Sequence, residues 1–243
     1  MDKTIKPIRK CGELAWLLGA VLCSLGVCLS AKSGFGVSMV VAPAFVLSNY
    51  LHDSLGLAFF TFGNTDYIVQ GVFMLALIIV VGKFKIKYPL AFITAVIYGL
   101  MLDGWRLLFG QDIPAELYVR IIYMILAALI IAFSVALYLH TFVSQQVYDM
   151  FVYEVAAEKK KNVTVVKWIY DISSLVAAIV LMLILFNRFD LEMVGIGTLI
   201  YTVVNTPLIA LFGKLLDKLC NFSPLFPKTA VKVFGYKPTE DNA

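Results

Sequence analysis

Six long apolar runs separated by short polar loops are the feature that most restricts how this chain can fold. They cover approximately residues 11–31, 64–81, 88–109, 115–139, 166–186 and 193–215. Each run is long enough to cross ~30 Å of hydrocarbon as an α-helix, which rises ~1.5 Å per residue. The sequence therefore predicts an all-α polytopic membrane protein with six transmembrane helices, in a single membrane domain that spans residues 1–243.

The composition agrees with this reading. Hydrophobic residues make up 61% of the chain, charged residues only 15%, and the mean hydropathy is +0.89. These values are too apolar for an ordinary soluble domain. The first run is longer than the ~7–15 residues of a signal-peptide core, and five similar runs follow it. We therefore expect it to be a retained first helix.

Basic residues fall almost entirely on alternate loops, which predicts the orientation. Of the 20 Lys and Arg residues, only Lys32, Arg106, Arg120 and Arg188 fall on one side. The other side holds the remaining sixteen: Lys3, Lys6, Arg9, Lys10, Lys83, Lys85, Lys87, Lys159, Lys160, Lys161, Lys167, Lys214, Lys218, Lys228, Lys232 and Lys237. Positive residues concentrate on the cytoplasmic side. This split predicts that both termini, including a tail at 216–243, are cytoplasmic, in a bacterial cytoplasmic membrane. Because these lysines flank a lipid bilayer, the net charge of +4 does not indicate nucleic-acid binding.

Two further segments are apolar but unsuited to a full crossing. The stretch 34–51 carries a Gly-x-Gly turn and Pro43, which interrupt any helix and favour a re-entrant or interfacial segment. The stretch 141–158 alternates apolar and polar residues at helical spacing, as an amphipathic helix in the interface does. On this interpretation Asp149 is simply solvent-exposed.

Each half of the chain then reads as span, broken or amphipathic segment, span, span. Repeat 1 covers about 11–110 and repeat 2 about 115–215. Offsets of 104 or 105 residues align Asp66 with Asp171, Thr94 with Thr198 and Phe84 with Phe189. Three spans per half is an odd number, so the second half must be inverted. This 3+3 inverted-topology repeat is typical of secondary transporters, although duplication also occurs in channels and structural membrane proteins.

Several polar residues within the spans are candidates for substrate binding. Asp103 stands near the end of the third span, three residues before Arg106. The pair either closes the helix end as an interfacial ion pair or lies in a solute path. Thr198 and Asn205, in the sixth span, can bond across helices. The predicted substrate site has six residues: Gly36 and Ser38 of the broken segment, with Asp103, Arg106, Thr198 and Asn205.

Asp66 and Asp171 are candidates for an ion or proton path, at the start of the second and fifth spans. The alternative is that each carboxylate caps its helix by interacting with the positive end of the helix dipole. His52 and His140 have no second ligand at metal-binding spacing, and no catalytic motif is present. We therefore expect no metal, no cofactor and no enzymatic activity.

Three short motifs resemble the YczE/YyaS/YitT-like family of bacterial integral membrane proteins. They are Gly34-Phe35-Gly36-Val37-Ser38, Gly99-x-x-x-Asp103, and Gly195-Ile196-Gly197-Thr198 followed by Pro207-Leu208-Ile209. The resemblance extends from about residue 14 to 215. The absence of a soluble C-terminal domain favours the YczE-like branch. The resemblance implies a compact multi-span protein of the cytoplasmic membrane, but it does not imply a biochemical activity.

The sequence thus predicts a transport protein for a small organic solute or ion. The alternative is a substrate-binding or accessory membrane subunit of a larger transport or biosynthetic complex. Such a subunit would dock a protein partner on loops 83–87 and 143–167.

Overall fold

Six helices long and apolar enough to cross a membrane form the body of the protein, which confirms the predicted fold class. The computed structural model describes residues 8–141, 143 and 145–223. The long helices are α1 (Gly12–Ser33), α3 (Phe62–Val81), α4 (Lys87–Phe109), α5 (Leu117–His140), α7 (Val163–Phe186) and α8 (Ile196–Leu219). Two short helices, α2 (Ala42–Ser48) and α6 (Val147–Glu158), lie between them, and a π-helical segment, Asn49–Ser54, continues α2. Within the predicted tail, residues 224–243 lie outside the described residues.

Helix ends differ from the predicted ones by a few residues where caps, rather than hydropathy, set the boundary. Helix α7 begins at Val163, three residues early, because the Asn162 side chain accepts a hydrogen bond from the Thr164 backbone N–H. Helix α8 begins only at Ile196, because Gly195 is still extended. Hydropathy alone cannot place such ends.

Contacts between helix ends define the two ends of the bundle. At the end where α1 begins, His140 of α5 lies 2.9 Å from Asp217 of α8, and we call this the proximal end. At the other, distal end, Lys32 of α1 donates to backbone carbonyls at the end of α4, 2.7 Å from the Phe109 oxygen. Arg120, at the start of α5, likewise donates to the Ser33 carbonyl that ends α1. Helices α1 and α4 therefore run from proximal to distal, and α5 and α8 run back.

The long helices form two groups. Helices α1, α4, α5 and α8 pack together, with α1 against α5 at the centre. The second group contains α2, α3, α6 and α7, in which each short helix packs on a long helix from the other half of the chain: α2 on α7 and α6 on α3. A two-stranded parallel ladder at the proximal end pairs β1 (Ile8–Cys11) with β2 (Cys220–Ser223). This ladder places the start of α1 beside the end of α8.

The first broken segment enters the bundle from the distal end and returns to it. Gly34 is held at that end, where its carbonyl accepts a hydrogen bond from Arg120. Met39 and Val41 reach the middle of the bundle, beside Cys23 of α1. Helix α2 then leads back to Tyr50, whose ring packs edge-on against Phe186 at the distal end of α7. This segment does not cross the bundle, as predicted.

The second segment, which contains Gln146 and α6 and which we call the second broken segment, enters the bundle from the proximal end and returns to it. The prediction that it lies in the membrane interface is therefore wrong. Gln146 is buried and lies 3.7 Å from the Cys23 sulfur, in the middle of α1. Helix α6 then returns to the proximal end, where Glu154 binds both Lys85 and Lys87. The segment is held inside the bundle because the Gln146 side chain binds Gln70 of α3 and Cys23 of α1, and the Val147 backbone N–H donates to Gln70.

The element boundaries repeat along the chain. Helices α1 and α5 begin 105 residues apart, as do α2 and α6. Gly82 and Asn187, also 105 residues apart, end α3 and α7 in the left-handed conformation. The loop before α8 is longer than the loop before α4, so these two helices begin 109 residues apart. The predicted match of Thr94 with Thr198 is therefore wrong, because the two residues occupy different turns of their helices.

Candidate ligand site

The two broken segments meet at a cavity of about 90 Å³ in the middle of the bundle. The first segment contributes Ser38 to Val41 to its wall, and the second contributes Gln146, Tyr148 and Asp149. Helices α1, α4, α5, α7 and α8 supply the rest. A cavity of this size between helix interruptions is a typical position for a ligand site in a membrane protein.

A cluster of buried, hydrogen-bonded side chains adjoins this cavity. The Asp66 carboxylate accepts a hydrogen bond from the Tyr148 hydroxyl at 3.0 Å and one from the Gln70 amide at 2.8 Å. Gln70 also donates to Gln146 at 3.3 Å and accepts from the Val147 backbone N–H. The cluster fixes the second broken segment against α3. Both partners of Asp66 are neutral.

The structure does not support the helix-capping reading of Asp66 and Asp171. Thr61 and Asn162 cap the two helices, because their side chains accept from backbone N–H groups of the first turn. Asp66 lies in the second turn of α3 and Asp171 in the third turn of α7, both inside the bundle. The two carboxylates are thus available for interactions other than capping.

A second chamber of about 180 Å³ extends from the central cavity towards the proximal end, between α5, α6, α7 and α8. Asp149, Lys167 and Asp171 line both spaces, and the Lys167 ammonium lies 3.6 Å from Asp171. Asp149 was expected to be exposed, but it faces this chamber because the first turn of α6 is inside the bundle. The chamber is therefore lined by two carboxylates and one ammonium group.

Four buried polar atoms at the central cavity have no hydrogen-bond partner among the described residues. They are the hydroxyls of Tyr98 and Tyr138, the Oδ1 atom of Asp171 and the amide oxygen of Asn205. Tyr98 is only 1% exposed. Buried polar atoms in native proteins are almost always paired. These atoms therefore mark the part of the cavity wall that a ligand or water would contact.

Four of the six predicted substrate-site residues lie on or near this cavity. Ser38 and Asn205 line it. Gly36 and Thr198 adjoin it at the distal side, where the loop crosses the start of α8. A Cβ atom on Gly36 would lie 2.5 Å from the Thr198 hydroxyl, and its φ of +93° is one that glycine adopts readily. Gly36 therefore allows the first broken segment to pack on α8.

Asp103 and Arg106, by contrast, lie at the distal end and do not line the central cavity. Asp103 accepts a hydrogen bond from the Thr61 hydroxyl at 2.5 Å and from the Gly63 backbone N–H at 2.8 Å. Arg106 donates to Gln111 at 2.6 Å and makes no ion pair with Asp103 among the described residues. The ion-pair alternative for Asp103 is therefore wrong, because its carboxylate binds Thr61 and Gly63 and so links α4 to the start of α3.

The two halves of the chain differ in how closely their last two long helices pack on each other. At the distal end α3 and α4 pack so closely that the backbones of Gly63 and Gly99 touch. Backbone hydrogen bonds also join the first broken segment to the start of α8, between the Gly197 N–H and the Phe35 oxygen at 2.7 Å. Helices α7 and α8, which correspond to α3 and α4 in the second half, have no comparable packing. The proximal chamber occupies the space between them.

At the cavity and in the hydrogen-bonded cluster beside it, sequence reasoning missed four polar residues: Gln70, Gln146, Tyr98 and Lys167. Gln70 was detectable, because an amide in the middle of an apolar run requires a partner. Lys167 precedes Asp171 by one helical turn, which is the spacing of an ion pair. No local sequence pattern indicates that Gln146 and Tyr148 are buried, because their burial depends on partners about 80 residues away in sequence.

Comparison with known proteins identifies a family but no activity. No curated protein and no solved structure gave a match. The resemblance to YczE/YyaS/YitT-like proteins is not confirmed by these comparisons. The model of a family of unknown function, DUF6198, matches residues 10–214, which include all six long helices nearly to the end of α8. The chain therefore belongs to the DUF6198 family.

Proposed function

We propose that this protein is a bacterial membrane transport protein for a small organic solute or ion, which works by alternating access between two inverted repeats. The observation that carries the proposal is the buried polar cavity at which two broken segments meet. The offset of 105 residues between equivalent element boundaries supports the repeat. The entry of one segment from each end of the bundle supports its inversion.

The proximal end is assigned to the cytoplasm, because the positive-inside rule places most basic residues there. The four basic residues at the distal end are engaged with local partners: Lys32 and Arg120 bind carbonyls at helix ends, Arg106 binds Gln111, and Arg188 lies 3.4 Å from Asp190. In this orientation the cavity opens to the cytoplasm through the chamber between α7 and α8. The α3–α4 contact closes it on the outside.

The proposed transport step moves the group α2, α3, α6 and α7 relative to the group α1, α4, α5 and α8. Closing α7 on α8 would shut the cytoplasmic side, and parting α3 from α4 would open the outside. Asp103 would then release Thr61 and the Gly63 N–H. Because α2 packs on α7 and α6 on α3, the first group can move as one body that carries both broken segments.

The accessory-subunit alternative would need free docking loops at the proximal end. Lys83, Lys85 and Lys87, on the first of the two predicted loops, are bound to Glu158 and Glu154 of α6. These ion pairs satisfy much of the charge that a partner would bind. The first of the two predicted docking loops is therefore less available to a partner, which favours autonomous transport.

Access to the cavity from both sides is the property that tests this proposal. A single cysteine at Thr206, which lines both spaces, is introduced into a chain whose native cysteines are replaced. We expect an impermeant thiol reagent to label it rapidly from the cytoplasmic side and slowly from the outside. Cysteines at Lys83 and Asp112 are the matched controls, because each should be labelled from one side only.

Labelling of the Thr206 cysteine from one side only would refute alternating access. Uptake by proteoliposomes that contain the purified chain alone then separates a transporter from a subunit. A chain that is labelled from both sides and still needs a second protein for uptake would favour the accessory role.

A further inference from the structure

We propose that the central cavity and the proximal chamber bind a small protonated amine, a cation that carries at least two N–H donors. This inference rests on the proposed function, because it names the substrate class of the same site. Three observations carry it: the charge balance, the chemistry of the unpartnered atoms, and the size and lining of the space.

The charges around the site are mostly negative. Asp149 and Asp171 line both spaces, and Asp66 adjoins the central cavity through its hydrogen bond with Tyr148. Lys167 is the only Lys or Arg residue among the described residues that lines either space. Lys167 lies next to Asp171, and Asp149 makes no ion pair among the described residues. Charged groups at membrane depth require a partner of opposite sign. A cation that enters the chamber would supply the missing positive charge.

The unpartnered atoms can all accept a hydrogen bond. Asp171 Oδ1 and the Asn205 amide oxygen are acceptors, and the hydroxyls of Tyr98 and Tyr138 can accept as well as donate. An anionic ligand would place further acceptors against these atoms and add to the negative charge. An ammonium group carries up to three N–H donors and no acceptor. It therefore satisfies the orphaned acceptors and the charge at once.

The space fits a molecule of a few heavy atoms. The cavity and chamber measure about 90 and about 180 Å³. An engineered protein cavity of ~150 Å³ holds one benzene molecule. The walls are apolar and aromatic, with Tyr98, Tyr148 and Tyr201 in the cavity and Trp168 in the chamber. Aromatic side chains stabilise cations through their ring faces, and the apolar wall suits a short alkyl group on the amine.

The proposed pose follows from these contacts. The ammonium group donates to Asp171 Oδ1 and to the Asn205 oxygen, which both belong to the central cavity. Lys167 remains on the other oxygen of Asp171, 3.6 Å away. The alkyl group lies along Val135 and Ile209, which line both spaces.

Four small probes of similar size test the charge and the donor requirement separately. They are propylammonium, 1-propanol, propionate and tetramethylammonium, each added to the purified chain in detergent at equal concentration and ionic strength. A ligand that binds only the folded state raises the melting temperature with its concentration. We expect propylammonium to raise it most, tetramethylammonium less because it has no N–H group, and the other two not at all.

Variants test whether the shift in melting temperature arises from propylammonium bound at the proposed amine site. Asp171→Asn should weaken propylammonium binding by about tenfold or more, as the loss of a charge-assisted hydrogen bond predicts. Asp149→Asn is the second variant and should also weaken it, in case the first fails to fold. Asp217→Asn is the matched control, because Asp217 is a carboxylate outside the cavity, and it should leave propylammonium binding unchanged.

The outcomes separate this inference from the proposed function. A shift by propanol or propionate equal to that of propylammonium, or no shift by any probe, would overturn the amine site. Alternating access would still stand if the Thr206 cysteine were labelled from both sides. Propylammonium binding that depends on Asp171, together with labelling from one side only, would keep the amine site and refute transport.

Discussion

Replacing Gly99 by alanine should separate α3 from α4 and destabilise the protein. A Cβ atom at this position would lie 2.6 Å from the Gly63 carbonyl oxygen. Non-bonded heavy atoms prefer ~3.5 Å or more, so the two helices must part by about 1 Å. Overpacking of this kind lowers the free energy of unfolding by ~1–3 kcal/mol. In a chain of this length each kcal/mol lowers the melting temperature by ~2–4 °C.

Gly104→Ala is the matched control, because it makes the same change on the same helix. A Cβ atom on Gly104 meets no other atom within 4 Å. Alanine forms a helix more readily than glycine by up to ~1 kcal/mol, so this variant should keep or slightly raise the melting temperature. Thermal unfolding of both variants in the same detergent, followed by circular dichroism, measures the difference.

The result also tests whether the α3–α4 contact closes the distal side of the cavity. If it does, Gly99→Ala should increase labelling of the Thr206 cysteine from outside, and Gly104→Ala should not. Equal melting temperatures for the two variants would show that the close approach of Gly63 and Gly99 does not hold these helices together. Closure of the distal side by this contact would then be refuted.

Two further predictions concern topology and pH. Cysteines beside Lys85 and Asp112 should be labelled from opposite sides of the membrane by an impermeant reagent, and labelling from the same side would contradict the six-span orientation. Burial raises the pKa of Glu154, but hydrogen bonds and charges from Lys85 and Lys87 outweigh burial and hold that pKa below its usual value. The folded-state pKa lies below the unfolded one, so the ion pairs stabilise the protein fully above the unfolded value and are lost as the pH falls through the folded value. Glu154→Gln should therefore lower the melting temperature at pH 7, and its difference from the wild type should shrink on acidification towards pH 3; a constant difference would contradict this.

The six spans were predictable from sequence because each depends on a local property. An apolar run long enough to cross a bilayer needs no distant partner to be recognised, and Gly82, at the end of α3, is a local stop signal. The first broken segment was predictable for the same reason, since Gly36 and Pro43 interrupt a helix wherever they occur. These features belong to the chain itself.

The position of the second broken segment was not predictable in this way. Nothing near Gln146 interrupts a helix, and its polar neighbours resemble the exposed face of an interfacial helix. The segment enters the bundle because Gln70 and Asp66 of α3 bind it, and these residues lie about 80 positions earlier. Asp103 gives a second example: its spacing from Arg106 predicts a local ion pair, whereas its partners Thr61 and Gly63 are on another helix.

The division of the helices into two groups offers a mechanical explanation for the position of the buried polar cluster. Gln70 and Asp66 on α3 bind Gln146 and Tyr148 within a single group, so a movement of that group need not break these hydrogen bonds. Asn205, on α8, belongs to the other group, and its amide oxygen has no hydrogen-bond partner in the part of the chain that the structure describes. A static bundle would gain stability by replacing such unpaired polar atoms with apolar ones. Orphaned acceptors on both sides of the boundary, Asp171 on one and Asn205 on the other, are what a ligand that bridges the two groups during transport would require.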